Sequence, residues 1–390
     1  MSKPRVLIVH NRYQNPGGED VVVDSEIDLL RRRGHDVETY FRDNHELRDM
    51  GALEAFAQTL WSQRTRSDIA GIIGSFRPDV IHAHNTFALV SSSLYWAAGN
   101  AGIPVVQTLH NFRLLCVQAM FLHNNRVCED CLGRIPWRGV ARKCYRNSSL
   151  QSAALATMLG VHRTLGTYRD KVTRYIALNE FCRRKFIEGG LPASRIVVKP
   201  NFVDIGRPPE TARRGGLYVG RLSSEKGIDT LRRALHELPG VTIDVIGSGP
   251  EQHKVQNHSQ LNFLGWLQPD EIYARMRSAS YLVMPSIWYE NFPRTLVEAF
   301  ANGVPVIASH LGALTELISH GHTGLLFTPG SSQGLAWQLA WAESFPEKMR
   351  AMGRNARAKY EACFTPGRNY EQLMAIYEDA IAMHRFKIAV

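Results

Sequence analysis

At 390 residues the chain exceeds what one ordinary hydrophobic core serves, so two domains of about 150–200 residues are expected. Hydrophobic residues at 44% and charged residues at 21% are ordinary for a soluble globular protein. No apolar run reaches the roughly 18–20 residues that a bilayer-spanning helix needs. The formal net charge of +10 points to anionic partners, phosphorylated ligands or an anionic lipid surface, and no helix-turn-helix or RNA-binding signature argues for nucleic acid.

In chain order, the first half alternates strands and helices. A strand is expected over 6–10, a helix over 19–33 that stops at Gly34, and a strand over 36–41. A helical stretch over 53–76 leads to a strand over 80–84, a helix ending near Gly102, and a strand over 105–109 that delivers His110. A cysteine-rich insert fills about 111–148. Helical spacing then covers 150–170, a strand 175–178 and a helix 180–188. After a polar Pro- and Gly-bearing link over 207–216 the pattern restarts. Strands over 217–219, 241–246, 261–263, 281–284, 304–309 and 324–327 alternate with helices over 227–237, 270–278 and 294–302, and the remainder reads as helical, ending in an amphipathic stretch over 369–384. Such alternation predicts parallel, doubly wound sheets. The opening run, residues 4–10, is too short and too strand-like for a signal peptide, so a cytoplasmic protein is expected, with its basic clusters (Arg31-Arg-Arg33 and Arg183-Arg-Lys185) either solvated or resting on the inner face of the membrane.

Cys116, Cys128, Cys131 and Cys144 crowd into the insert with spacing C-x11-C-x2-C-x12-C. Two readings stand: a structural zinc held by thiolates, with His110 and His123 as alternative ligands, or four reduced thiols packed in a loop-rich segment. The outer spacings are not those of a common zinc finger, and stable disulfides are not expected in the cytoplasm.

Three motifs carry the chemistry. Glu290-Asn-Phe-Pro-Arg-Thr-Leu-Val-Glu298 places one carboxylate in a loop after a strand and the other one turn into a helix. In an open α/β sheet that loop lies at the carboxyl end of the strand, where ligands bind, and the helix start offers N–H groups to a phosphate. Gly220-Arg-Leu-Ser-Ser-Glu-Lys-Gly227 lies between a strand and a helix, so Arg221 and Lys226 are spaced to converge on a diphosphate. Asn15-Pro-Gly17-Gly18 follows the first strand, and two glycines permit close backbone approach to a phosphate or sugar. Gly247-Ser-Gly249 is a further tight turn, structural or ligand-facing.

Together, in this order, these motifs resemble the retaining, nucleotide-sugar-dependent glycosyltransferases of family 4, and the resemblance covers nearly the whole chain. It implies the GT-B fold, an α/β architecture of two Rossmann-like doubly wound parallel-sheet domains facing across a cleft. Residues 1–198 would bind the acceptor, 199–365 the nucleotide sugar, and 366–390 would form a helix crossing back to the first domain. The resemblance implies that Arg221 and Lys226 neutralise the donor diphosphate, so that no metal cofactor is needed for catalysis. It further places Glu298 on the ribose, Glu290 near the transferred sugar, and the backbone of Asn291 and Phe292 on the sugar or diphosphate. Thr295, Leu296 and Val297 would line the helix start, Gly265 and Trp266 the base, and His110 the donor sugar. Gly17, Gly18 and Asn201 would serve the acceptor side and the domain junction. Pro293 stands where the family often has Gly and removes one N–H.

The implied activity is transfer of a hexose from a UDP- or GDP-type sugar to a carbohydrate or polyprenyl-linked hydroxyl in cell-surface polysaccharide synthesis. The alternatives are a soluble small-molecule acceptor and a non-catalytic nucleotide- or carbohydrate-binding protein. The second alternative leaves Arg221, Lys226, Glu290 and Glu298 without a joint purpose.

Overall fold

The computed structural model describes residues 3–14, 17–207, 209 and 211–388, with side chains to residue 384; Asn15 and Pro16 of the glycine loop lie outside the described residues. The chain divides into two compact units, one of Met1–Met120, Glu129–Pro200 and Asn369–Val390, the other of Phe121–Cys128 and Asn201–Arg368. The boundaries expected from sequence are 198/199 and 365/366; the units meet in the chain at 200/201 and 368/369.

The strands of the first half are β1 (Val6–Arg12), β2 (Val37–Asp43), β3 (Val80–Ala83), β4 (Val105–Leu109), the short antiparallel pair β5 (Leu122–His123) and β6 (Arg126–Val127), then β7 (Arg174–Ala177) and β8 (Ile196–Val198). Six of them form a parallel sheet in the order β2-β1-β3-β4-β7-β8. Val6, Leu7, Ile8 and Val9 are all 0% exposed, so consecutive residues are buried on both faces of the sheet, as helices on each side require. One face packs on the helix Gly18–Arg32 through Val23, Ile27 and Leu30, and on the last helix, Pro366–Ile388, through Leu373, Ile376, Tyr377 and Ala380. The end of the chain therefore completes the core of the first unit.

In the second unit, β9 (Gly216–Val219), β10 (Ile243–Ile246), β11 (Leu261–Gly265), β12 (Tyr281–Met284), β13 (Val306–Ser309) and β14 (Gly324–Phe327) form a second parallel sheet in the order β11-β10-β9-β12-β13-β14. In each sheet the order reverses at one strand, β1 in the first and β9 in the second. Ligands of open α/β sheets bind outside the carboxyl ends of the strands flanking such a point.

Three local features depart from the expectation. The helical stretch 53–76 is two helices, Ala52–Leu60 and Gln63–Phe76, because the Ser62 side chain caps the second by accepting from the Thr65 N–H. The edge strand β8 is too short to show a period. The cysteine-rich insert is divided: Phe121–Cys128 clusters with the second unit. There Asn124 and Asn125 take positive φ of 50° and 56°, the pair of left-handed residues that closes a two-residue hairpin, and the Phe121 ring meets Tyr289 edge-on at 6.4 Å. Among the described residues no helix is long and apolar enough to cross a membrane.

Candidate active site

In the second unit the loops after β9, β10 and β11 lock together backbone to backbone. The Gly220 N–H donates to Ile246 O at 3.0 Å, Leu222 N–H to Ser248 O at 2.9 Å, and Gly247 N–H to Gly265 O at 2.8 Å. A Cβ on Gly247 would stand 2.0 Å from Gly220 O, and one on Gly227, at φ +76°, would stand 1.9 Å from Pro285 O. These glycines serve close packing of the loops, which is reason enough for glycine in the Gly-Ser-Gly turn. The consequence is a rigid seat for Lys226, in the 3-10 turn Ser224–Lys226, beside the loop that leaves β12.

That loop carries Glu290, which is 5% exposed. Its Oε1 accepts from Lys226 Nζ at 2.7 Å, Ser286 Oγ at 2.7 Å and Trp288 Nε1 at 3.1 Å. The ammonium also lies 5.4 Å from the Trp288 ring centroid, within cation–π range. The fold thus brings together the first Glu of one motif and the Lys of another, 64 residues apart. Glu298 lies on the helix Arg294–Ala301, whose first residue follows Pro293 with no side-chain cap. Glu298 Oε1 accepts from Arg294 Nε at 2.8 Å and from Tyr273 Oη at 3.2 Å. Burial pushes the Glu298 carboxyl up, opposed by Arg294 and Tyr273. Neither Arg294 nor Tyr273 was singled out in the sequence; Arg294 carried a signal, since residues four apart share a helix face.

Arg221 is exposed and, among the described residues, makes no ion pair. Trp266 is 67% exposed, so it does not pack in the core, and Gly265 precedes it at φ +72°. Phe292 meets Phe364 edge-on at 5.9 Å, and Asn291 beside it is partly buried. The Leu296 side chain is 0% exposed, because the helix turns Leu296, Val297 and Phe300 into the core, so any part it takes at the helix start is through its backbone. Asn201 opens the second unit and is 6% exposed.

In the first unit the polar groups gather at the carboxyl ends of β1, β3 and β4. His10 Nδ1 accepts from the Asn85 N–H, which leaves His10 Nε2–H facing Asp20 Oδ1 at 3.0 Å. Asp20 Oδ2 accepts from the Gly17 N–H at 2.8 Å. Gly17 and Gly18 are exposed, and a Cβ on either would meet nothing within 4 Å, so packing does not demand glycine there. His110 follows β4, with Nε2 2.9 Å from His84 Nδ1. Behind it lies buried Glu26, with Oε2 3.0 Å from Lys199 Nζ and Oε1 3.0 Å from His82 Nδ1 and 3.5 Å from His84 Nε2. A small cavity of about 30 Å³ is lined by Glu19, His84, His110 and Asn111 among others. Glu19 was missed as a site residue; its Oε2 accepts from Tyr13 Oη at 2.9 Å, and burial pushes its carboxyl up.

Burial, then His82, pushes His84 down to about 3, and burial, then His84, holds His110 well below its ordinary range. Both imidazoles are neutral at pH 7, so His110 offers a hydrogen bond and not a charge. For both groups the folded-state value lies below the unfolded value near 6.5, so as the pH falls the unfolded chain binds protons that the folded chain refuses. Their contribution to stability is complete above about pH 6.5 and is lost toward acid, at up to about 1.4 kcal/mol per pH unit for each proton. The thermal midpoint is expected to fall between pH 6.5 and 5, and less steeply in His84→Gln, by the slope of one proton. Equal slopes in the two proteins would contradict this assignment.

Among the described residues the one group of three or more potential ligands drawn within 4.8 Å is Glu26, His82 and His84. Lys199 already occupies Glu26, and Tyr377 and Thr108 bond His82, so these donors are committed to one another. Cys116, Cys131 and Cys144, all in the first unit, do not form such a group, and Cys128 belongs to the second unit.

The family model described as Glycosyltransferase Family 4 matches residues 16–207, and that described as Glycosyl transferases group 1 matches residues 211–359. Glycogen synthase of Mycobacterium tuberculosis is 29% identical over 309 residues, covering 74% of this chain and 66% of that enzyme. Phosphatidyl-myo-inositol mannosyltransferase of Mycobacterium leprae is 30% identical over 258 residues, covering 60% of this chain and 66% of that enzyme. The match thus spans just under two thirds of each relative's length. Among solved structures, Anabaena Alr3699/HepE in complex with UDP aligns with a TM-score of 0.66 at 21% identity, over 95% of this chain and 98% of that one. This likeness establishes the fold: two parallel-sheet α/β units of GT-B type.

Proposed function

Because the chain belongs to the group 1, family 4 glycosyltransferases of GT-B fold, we propose that it is a retaining, metal-independent hexosyltransferase. It moves a sugar from a nucleotide diphosphate donor, of UDP or GDP type, to a lipid-linked or polysaccharide-precursor hydroxyl. The observation that carries this reading is the convergence of Lys226 and Glu290 beside the reversal point of the second sheet, with an exposed Arg221 on the same loop as Lys226. The UDP complex of the structural neighbour and the mannosyl and glycogen activities of the relatives support the donor class.

In this reaction the bond from the anomeric carbon to the diphosphate oxygen breaks, and its electron pair stays on the phosphate. Arg221 and Lys226 stabilise that growing charge, which is the largest electrostatic demand of the step. The acceptor hydroxyl attacks from the face the diphosphate leaves, and its proton passes to the departing phosphate oxygen. A double displacement would need a free carboxylate nucleophile. Glu290 Oε1 accepts three hydrogen bonds, which lowers its nucleophilicity and favours a positioning role on the sugar. Glu298, oriented by Arg294 and Tyr273, is suited to accept from the ribose hydroxyls.

The test is donor protection. The protein is melted with UDP, GDP, ADP and dTDP in turn, as wild type and as Arg221→Ala. A nucleotide at about 100 times its dissociation constant stabilises by about 2.7 kcal/mol. A midpoint rise with one nucleotide that is lost in Arg221→Ala is expected; no rise with any of them would remove the donor assignment.

A further inference from the structure

In the first unit the later part of the cysteine-rich insert begins at Glu129 and Asp130 and runs on into the helix Ser149–Thr164. Residues 131–169 hold seven Arg and Lys, from Arg134 to Arg169, and no Asp or Glu. On the same segment Ile135 is 68% exposed, Trp137 61%, Leu150 75%, Val161 38% and Leu165 53%. The short helix Trp137–Ala141 and the helix Ser149–Thr164 border an apolar pocket of about 560 Å³, open to solvent and lined by Ile135, Trp137, Val140, Val161 and Leu165. Arg138 lies 5.6 Å from the Trp137 ring centroid. Arg134, Arg142, Lys143 and Arg146 of the same segment are exposed, and the Asp130 carboxylate lies 2.7 Å from Arg142 and 3.7 Å from Arg138. Arg163 is spent inward, on the carbonyls of Arg134 and Leu114.

We infer that this face docks the protein on an anionic phospholipid bilayer, with Ile135 and Trp137 entering the headgroup region and the surrounding cations on lipid phosphates. A contiguous exposed apolar patch marks an interaction surface. Trp beside Arg is the pairing that suits a boundary between hydrocarbon and water. A second copy of the chain is disfavoured, because a symmetric contact through this face would set two surfaces together on which Arg134, Arg138, Arg142, Lys143 and Arg146 outnumber the one paired carboxylate of Asp130. An anionic lipid surface satisfies both features, since polybasic segments and shallow apolar insertion each add to binding and neither alone holds a protein there. The face belongs to the first unit and the loops of Lys226 and Glu290 to the second, so the inference stands whether or not the donor assignment holds.

The experiment is flotation of the full chain with vesicles of phosphatidylcholine alone and of phosphatidylcholine with phosphatidylglycerol. Binding to the anionic vesicles only, weakened by salt, is expected. Ile135→Ser/Trp137→Ser should reduce it at least about tenfold, and Arg142→Glu/Lys143→Glu should do likewise. All four positions are partly or largely exposed, so the variants should keep the wild-type melting midpoint and donor protection. Equal binding to neutral vesicles, no binding to either, or binding that survives both double variants would each overturn the assignment. Loss of donor protection with vesicle binding intact would instead count against the enzymatic reading alone.

Discussion

Lys226→Ala is expected to lower kcat/KM about 100- to 1,000-fold, the loss seen when one preorganised partner of a developing charge is removed. The loss should fall on both KM and kcat, because the ammonium meets the charge that the resting diphosphate already carries and the further charge that appears as the leaving group departs. The structure adds a reason for the position. Lys226 is held at 2.7 Å from Glu290, over the Trp288 ring, with its side chain 25% exposed, so it reaches the site already ordered. Glu290 keeps Ser286 and Trp288 when the lysine is removed, so the melting midpoint should change far less than the activity. Steady-state kinetics read beside a thermal melt separate the two effects. A fall in kcat/KM of less than about threefold, at unchanged stability, would show that the lysine belongs to Glu290 and not to the leaving group.

How much of this site was legible beforehand follows from which signals are local. The parallel sheets were readable because Val6-Leu-Ile-Val9 is apolar at every position, which only a strand covered on both faces tolerates. The two halves of the candidate site in the second unit were each visible as a motif at a strand end. That Lys226 bonds Glu290 was not visible, since the contact depends on β9 and β12 being neighbours in a sheet whose order reverses there. The burial of the Leu296 side chain was also readable. Leu296, Val297 and Phe300 are the apolar positions of one helix face, and Arg294 and Glu298 lie four apart on another. The division of the insert was not readable, because Asn124-Asn125 signals a hairpin but only the Phe121–Tyr289 contact says where it packs. The Glu26 network joins residues from the helix Gly18–Arg32, β3, the end of β8 and the final helix, and no spacing in the sequence announces it.

That network underlies the second large effect, on stability. Lys199→Met is expected to destabilise the first unit by about 3–5 kcal/mol, because it leaves Glu26 as a buried charge without its cation. Lys199 and Glu26 have side chains 1% and 2% exposed, and Lys199 Nζ also donates to Asn369 Oδ1 at 3.2 Å, on the returning helix. For a unit of this size the midpoint should fall by roughly 6–20 °C. Glu26→Gln on the Lys199→Met background should recover part of the loss, since the uncompensated charge is gone; the double-mutant cycle measures the coupling directly. The pH dependence has a definite sign. Burial pushes the Glu26 carboxyl up, but Lys199 and His82 outweigh it and hold it well below its ordinary value. The stability it contributes is present above the ordinary carboxylate range and is lost as the pH falls through the depressed value. Without Lys199 the carboxyl protonates more readily, so the deficit of the variant should be largest near neutrality and shrink toward acid. A deficit independent of pH would mean that Lys199 acts through packing alone. It would also free His84, and through it His110, from any dependence on the charge behind them.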